Sequence, residues 1–177
     1  MLKQFSLVFF LLFGCYVGVN SLRRPLKHLT NELEVHAPAS HVWEAFRNLG
    51  ILRIAARQKL VRSFQVLKGD GGVGTVVKIF FTRGRKSGYT ERIIVADNHR
   101  RVEVSQALKG DCLAIGCSVE IVTFEMAEKS HNSSIIKARM AYAVKKGFEA
   151  KDPKPSIQVV ATLSKLLKKF VENKYHA

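Results

Sequence analysis

The chain has 177 residues, of which 47% are hydrophobic and 24% charged, and a formal charge of +15 at pH 7. Such a length suits one domain with one hydrophobic core and leaves two domains cramped, while the apolar content excludes a disordered chain because it offsets the entropy of ordering. The basic surface suits acidic cell-wall polymers, anionic lipid or nucleic acid, but a charge of this sign also simply keeps a protein soluble and monomeric.

Residues 1–21 carry Lys3, an apolar run between Phe5 and Phe13, and Val19 and Ser21 at the small-residue spacing that a signal peptidase prefers. The expectation is a cleaved signal peptide over residues 1–21 and a mature domain over residues 22–177. The run is at the short end for a membrane span, so no stable membrane insertion is expected after cleavage. Localisation would then be the secretory pathway, meaning the endoplasmic reticulum, the vacuole or the extracellular space. Losing Lys3 lowers the charge from +15 to +14.

Residues 28–37 alternate Leu29, Leu33 and Val35 with polar neighbours, as in a half-buried strand. Pro38 and Ser40 then open a helix with Val42, Trp43, Phe46 and Leu49 at helical spacing, and Gly50 separates it from a second short helix over 51–57. Strand patterns follow at 61–67, 75–81, 89–96, 101–108, 119–126 and 134–144. Turn residues divide them at Gly69-Asp70-Gly71-Gly72, Gly84, Asp97-Asn98, Gly110-Asp111 and Ser130-His131-Asn132, which predicts an antiparallel meander.

After Pro153 and Pro155, Ile157, Val160, Leu163, Leu167, Phe170 and Val171 form one stripe, with Lys165, Lys168, Lys169 and Glu172 mostly on the other side. A basic amphipathic helix suits a membrane surface, but one long helix after six strands packs across a concave sheet. The expected architecture is α+β: a seven-stranded curved antiparallel sheet wrapped round a long C-terminal helix, with two short helices after the first strand. A strongly curved sheet cannot fill its own interior with ordinary side chains, so an internal cavity is expected.

Cys112 and Cys117 lie five residues apart and would point to opposite faces of an unbroken strand, so a disulfide between them needs a turn or bulge, which Gly116 permits. Asn132-Ser133-Ser134 is an N-glycosylation acceptor if the chain enters the secretory route. His28, His36, His41, His99, His131 and His176 show no metal-ligand spacing, so neither a metal nor another cofactor is expected. Arg83, Arg85 and Lys86 form a basic turn without interleaved aromatics, which argues against a nucleic-acid partner. The glycine loop lacks the Lys-Ser or Lys-Thr of a phosphate-binding loop and runs through Gly74-Thr75-Val76 into a strand, so it reads as a tight connection.

The element order and the loop Gly69-Asp70-Gly71-Gly72-Val73-Gly74-Thr75-Val76 resemble the birch-pollen-allergen (Bet v 1-type) family of plant pathogenesis-related proteins. Leu29-Thr30-Asn31-Glu32-Leu33-Glu34-Val35, Tyr89-Thr90-Glu91-Arg92, Asp97-Asn98-His99-Arg100-Arg101 and Ile135-Ile136-Lys137 are similar to segments of the norcoclaurine synthase group within it. The resemblance implies a helix-grip fold, START-like, around a ligand cavity. It also implies a partner that is a small hydrophobic or aromatic plant metabolite, and a monomer or weak dimer.

In that enzyme group a tyrosine, a glutamate, a lysine and an aspartate serve a Pictet-Spengler condensation of dopamine with an arylacetaldehyde. By the resemblance, Tyr89 matches the tyrosine, a gating and hydrogen-bonding residue, and Glu91 matches the glutamate, the candidate base. Glu103 falls where the lysine stands and Val122 where the aspartate stands, so two of the four positions differ. Leu163 and Leu167 on the long helix complete the expected ligand-binding set. A hairpin about Asp97-Asn98 would set Glu91 nearly opposite Glu103, and two carboxylates sharing one pocket suit proton-transfer chemistry. Periodicity favours the other orientation, with Val102, Val104 and Leu108 inward and Glu103 outward.

The alternative within the same family is a non-catalytic carrier of hydrophobic ligands, or a pathogenesis-related defence protein akin to the abscisic acid receptors. Those receptors carry Ser-Gly-Leu-Pro-Ala at a mobile gate where this chain has Arg83-Gly84-Arg85-Lys86-Ser87-Gly88.

Overall fold

The computed structural model describes residues 25–83, 88–151 and 153–175. The expected signal peptide, Cys15, His176 and most of the basic turn after Arg83 lie outside the described residues. The elements in chain order are β1 (Lys27–Val35), α1 (Ala39–Phe46), α2 (Gly50–Arg57), β2 (Val61–Lys68), β3 (Val76–Phe81), β4 (Tyr89–Asp97), β5 (Val102–Lys109), α3 (Asp111–Ile115), β6 (Cys117–Ser130), β7 (Ser133–Val144) and α4 (Gln158–Tyr175). The seven strands form one antiparallel sheet in the order β1-β7-β6-β5-β4-β3-β2. The meander and the long helix predicted from the pattern are both present. The first strand stops at Val35 rather than Ala37, and α3 stands where the sequence suggested only a turn.

Alternation explains which face of each long strand is closed. Glu120, Val122, Phe124 and Met126 on β6 and Ser134, Ile136, Ala138 and Met140 on β7 are all buried, at every second position. Trp43 and Phe46 from α1 join this face, with the Phe46 ring tilted by 45° against Phe124 at 5.0 Å between centroids. The Trp43 Nε1–H donates to Asn98 Oδ1 at 3.0 Å, which ties α1 to the β4–β5 turn.

The helix α4 buries Val160, Ser164, Leu167 and Val171 and packs chiefly on β1, β7, α1 and α2. Two polar tethers hold its C-terminal half to the end of β1 and the residue after it: Lys168 Nζ donates to the Glu34 carbonyl at 2.8 Å, and the His36 amide donates to Glu172 Oε1 at 2.8 Å. Because α4 lies toward the β1–β7 side, the inner faces of β3, β4 and β5 are covered less completely. Phe81, Tyr89, Glu91 and Glu103 there remain only half-buried, as does Leu163 on the helix. Among the described residues no helix is long and apolar enough to cross a membrane.

The glycine loop between β2 and β3 uses its own amides. The Gly71 amide donates to Thr75 Oγ1 at 2.9 Å and the Gly72 amide to Asp70 Oδ1 at 3.1 Å, as a tight connection requires.

Candidate functional site

Tyr89 and Glu91 occupy the inner face of β4 together with buried Ile93. The alternation then breaks. A bulge between Ile93 and Val95 inserts one residue, so Ala96 rather than Val95 turns toward the core and Val95 is left 41% exposed. Val95 had shared the parity of Tyr89, Glu91 and Ile93 in the sequence, and the bulge is why it does not share their face.

A second irregularity, between Thr90 and Glu91, shifts the β4–β5 register. Glu91 therefore pairs with Ala107 and Glu103 with Ala96, so the two glutamates are offset along the hairpin rather than nearly opposite. Between them sits Ser105, whose hydroxyl donates to Glu91 Oε2 at 2.9 Å. Glu103 takes the inner face with buried Ser105 and Ala107, while Leu108 is 42% exposed; periodicity pointed the other way. Across the β5–β6 pairing, Glu103 faces Phe124 and Ser105 faces Val122. Val122 and Leu167 are packed into the main core at 6% and 0% exposure, whereas Leu163 borders the more open region.

A third carboxylate completes the group. Glu120 on β6 is 5% exposed and accepts a hydrogen bond from the Tyr89 hydroxyl at 3.3 Å. Sequence reasoning passed over it. The available signal was its position in the apolar alternation of β6, two residues before Val122, where a charged side chain has no reason to be unless something inside needs it.

The electrostatics follow from crowding acids into a poorly hydrated space. Burial, with a smaller contribution from Glu120, pushes Glu91 up to about 7, although the Ser105 hydrogen bond opposes it. Burial and the Glu91 charge push Glu103 up to about 8. Burial also raises Glu120, aided by Asp111 and opposed by the Tyr89 hydrogen bond. Burial first, then the charges of Glu91 and Glu120, holds the Tyr89 phenol well above its ordinary value. Every charge that shifts these four groups is another carboxylate, in a protein whose surface is strongly basic. Glu91 and Glu103 keep some accessible surface, and loss of hydration is still the first cause of both upward shifts. At neutral pH such an arrangement mixes protonated and ionised carboxyls along one face and attracts positive charge. Among the described residues no group of three or more His, Cys, Asp or Glu is placed to hold a metal ion.

Comparison with known proteins places the chain among its relatives. The chain is 32% identical to norbelladine synthase of Narcissus pseudonarcissus over 66% of its own length and 74% of that protein. It is 30% identical to S-norcoclaurine synthase 1 of Papaver somniferum over 71% of its length and to the Thalictrum flavum enzyme over 73%, spanning only 56% and 63% of those two proteins. In structure it superposes with a TM-score of 0.74 and 25% identity on norcoclaurine synthase from Thalictrum flavum in complex with dopamine and hydroxybenzaldehyde, covering 88% of this chain and 91% of that one. The profile of the pathogenesis-related protein Bet v 1 family matches residues 26–174, which takes in the sheet and all but the last residue of α4, and the chain belongs to that family.

Proposed function

We propose that the protein binds a small aromatic metabolite carrying a basic nitrogen against the inner faces of β4 and β5, and transfers protons there. The observation that carries this reading is the row of desolvated acids along the inner faces of β4, β5 and β6, in which Glu120 bonds the Tyr89 hydroxyl and Glu91 raises both Tyr89 and Glu103. A cationic nitrogen replaces a proton as the partner of a buried carboxylate, so an acidic interior in a basic protein selects it. The complex of Thalictrum flavum norcoclaurine synthase with dopamine supports an aromatic amine as the ligand type.

Condensing an amine with an aldehyde forms a C=N bond as water leaves, which needs a proton donor. Closing the ring then forms a C–C bond and releases an aromatic proton, which needs a base. Glu103, held protonated to about pH 8, is an acid of useful strength although it stands where the resemblance places a lysine. Glu91, ionised above about 7, is the base. Activity would then be bell-shaped with its maximum between those two values, which belong to the coupled pair rather than to either residue alone.

Glu103 and Val122, the two departures from the enzyme group's pattern, favour a second reading in which the protein carries its ligand without turning it over. Incubating the mature protein with dopamine and an arylacetaldehyde, beside a titration with a fluorescent apolar probe, separates the two. Product formation supports catalysis, and saturable binding without product supports the carrier. No binding of either kind sinks both.

A signal peptide over residues 1–21 and work in the secretory pathway remain part of this reading. The buried Cys112–Cys117 disulfide supports them, because such bonds persist in oxidising compartments.

A further inference from the structure

The Cys112–Cys117 disulfide joins the start of α3 to the first residue of β6, with Cα atoms 5.2 Å apart. The two cysteines are not on one strand. The helix between them turns the chain, so the objection of opposite strand faces does not arise. Both are buried, at 3% and 0% exposure, in a small cluster with Tyr142, Val144, Leu113 and Phe148. Leu29 touches this cluster and the main core alike, so the disulfide closes one end of the same concave face that holds the carboxylates.

Besides the disulfide, the Lys145 amide donates to the Gly116 carbonyl at 2.8 Å and Lys145 Nζ to the Leu113 carbonyl at 3.3 Å. The helix α3 has five residues, far below the length at which a helix is stable by itself, and no side chain caps its N-terminus. It is entered through Gly110 and left through Gly116, whose φ of +119° favours glycine. A Cβ on Gly116 would lie 2.3 Å from the Phe148 ring, so Phe148 presses directly on the backbone at the exit.

The stretch from Gly110 to Glu120 also carries the contacts that place Tyr89. A Cβ on Gly110 would lie 2.6 Å from Tyr89 Cδ2, which means the Tyr89 ring rests on this glycine's bare backbone. Asp111, next to Cys112, is the charge that raises Glu120. Three residues after Cys117, beyond a bulge in β6, Glu120 accepts the Tyr89 hydroxyl. Tyr89 is therefore held by its ring at one side of the disulfide loop and by its hydroxyl at the other.

We propose that the Cys112–Cys117 disulfide is a positioning element of the ligand site: by closing the β5–α3–β6 corner it fixes Gly110 and Glu120 at the spacing that seats Tyr89. Opening the bond leaves the sheet and α4 in place but frees the corner, and with it the Tyr89 ring and the Tyr89–Glu120 hydrogen bond. The placement of Tyr89 follows from these contacts alone; its effect on a ligand rests on the function proposed above.

The test compares the oxidised mature protein with Cys112→Ala/Cys117→Ala, using Asn98→Ala as a control destabilised at the opposite end of β4. Two readouts are taken: the NMR signal and spectrophotometric titration of Tyr89, assigned through Tyr89→Phe, and the affinity for dopamine. In the double variant, far-UV circular dichroism stays native and the Tyr89 signal shifts and broadens. Its titration moves down toward that of an ordinary phenol, and dopamine binds about tenfold more weakly, the worth of one hydrogen bond to a charged group. Asn98→Ala leaves the Tyr89 signal where it was. An unchanged Tyr89 signal in the double variant overturns the proposal. So does loss of the whole fold on removing the disulfide, because the bond then staples the domain rather than the corner. Dopamine that binds neither form, with Tyr89 shifted as described, leaves the positioning intact and refutes the ligand instead.

Discussion

Replacing Glu103 by Gln should make the protein more stable in alkaline solution while leaving it unchanged in acid. In the folded chain Glu103 holds its proton to about pH 8, against 4.5 for the ordinary side chain. Between those values the folded state binds a proton that the unfolded state has released. Stability is therefore highest below about 4.5, falls as pH rises, and carries the whole cost of the buried charge above about 8. At about 1.4 kcal/mol per pH unit the ceiling is about 5 kcal/mol, and because the side chain is half-buried and reaches some water, about 2 kcal/mol is the expected share. Glutamine resembles the protonated acid in shape and cannot ionise. Urea denaturation at pH 4, 7 and 9 should give nearly equal stabilities for the two proteins at pH 4 and an advantage of about 2 kcal/mol for Glu103→Gln at pH 9. Curves that run parallel, whichever lies higher, would refute the claim that Glu103 is desolvated on the inner face.

Glu91→Gln removes the charge that helps raise Glu103, so carbon-detected NMR should show Glu103 titrating below about 8 yet still above 4.5, since burial is the larger cause. Leu167→Ala empties a fully buried position on the inner stripe of α4 and should cost about 2–5 kcal/mol, seen as a melting temperature lower by roughly 5–15 °C. Asn98→Ala leaves the part-buried Trp43 Nε1–H without its acceptor and should cost about 1–3 kcal/mol with a change in tryptophan fluorescence, both absent if water replaces the amide.

Much of the fold was legible along the chain because its signals are local. The meander is written in turn residues between short alternating runs, and α4 in a stripe from Val160 to Val171 that only a 3.6-residue period explains. Tyr89 and Glu91 were also within reach, since both fall on the parity of buried Ile93. Glu103 was not: strict alternation would have turned Val102, Val104 and Leu108 inward in its place. That Cys112 and Cys117 would need a turn between them to pair was legible, but not that a helix supplies it, because five helical residues between two glycines leave no periodic trace.

By itself, then, the sequence determined the order and type of the elements and the family they belong to, because propensity, capping and periodicity act over a few residues. The tertiary structure decided which acids share the interior. A bulge adds one residue and reverses the facing of all that follow, and Tyr89 meets Glu120 across 31 residues only because β5, α3 and the disulfide fold the chain back between them. Such meetings depend on register and closure summed over several strands, which no short window of the chain contains.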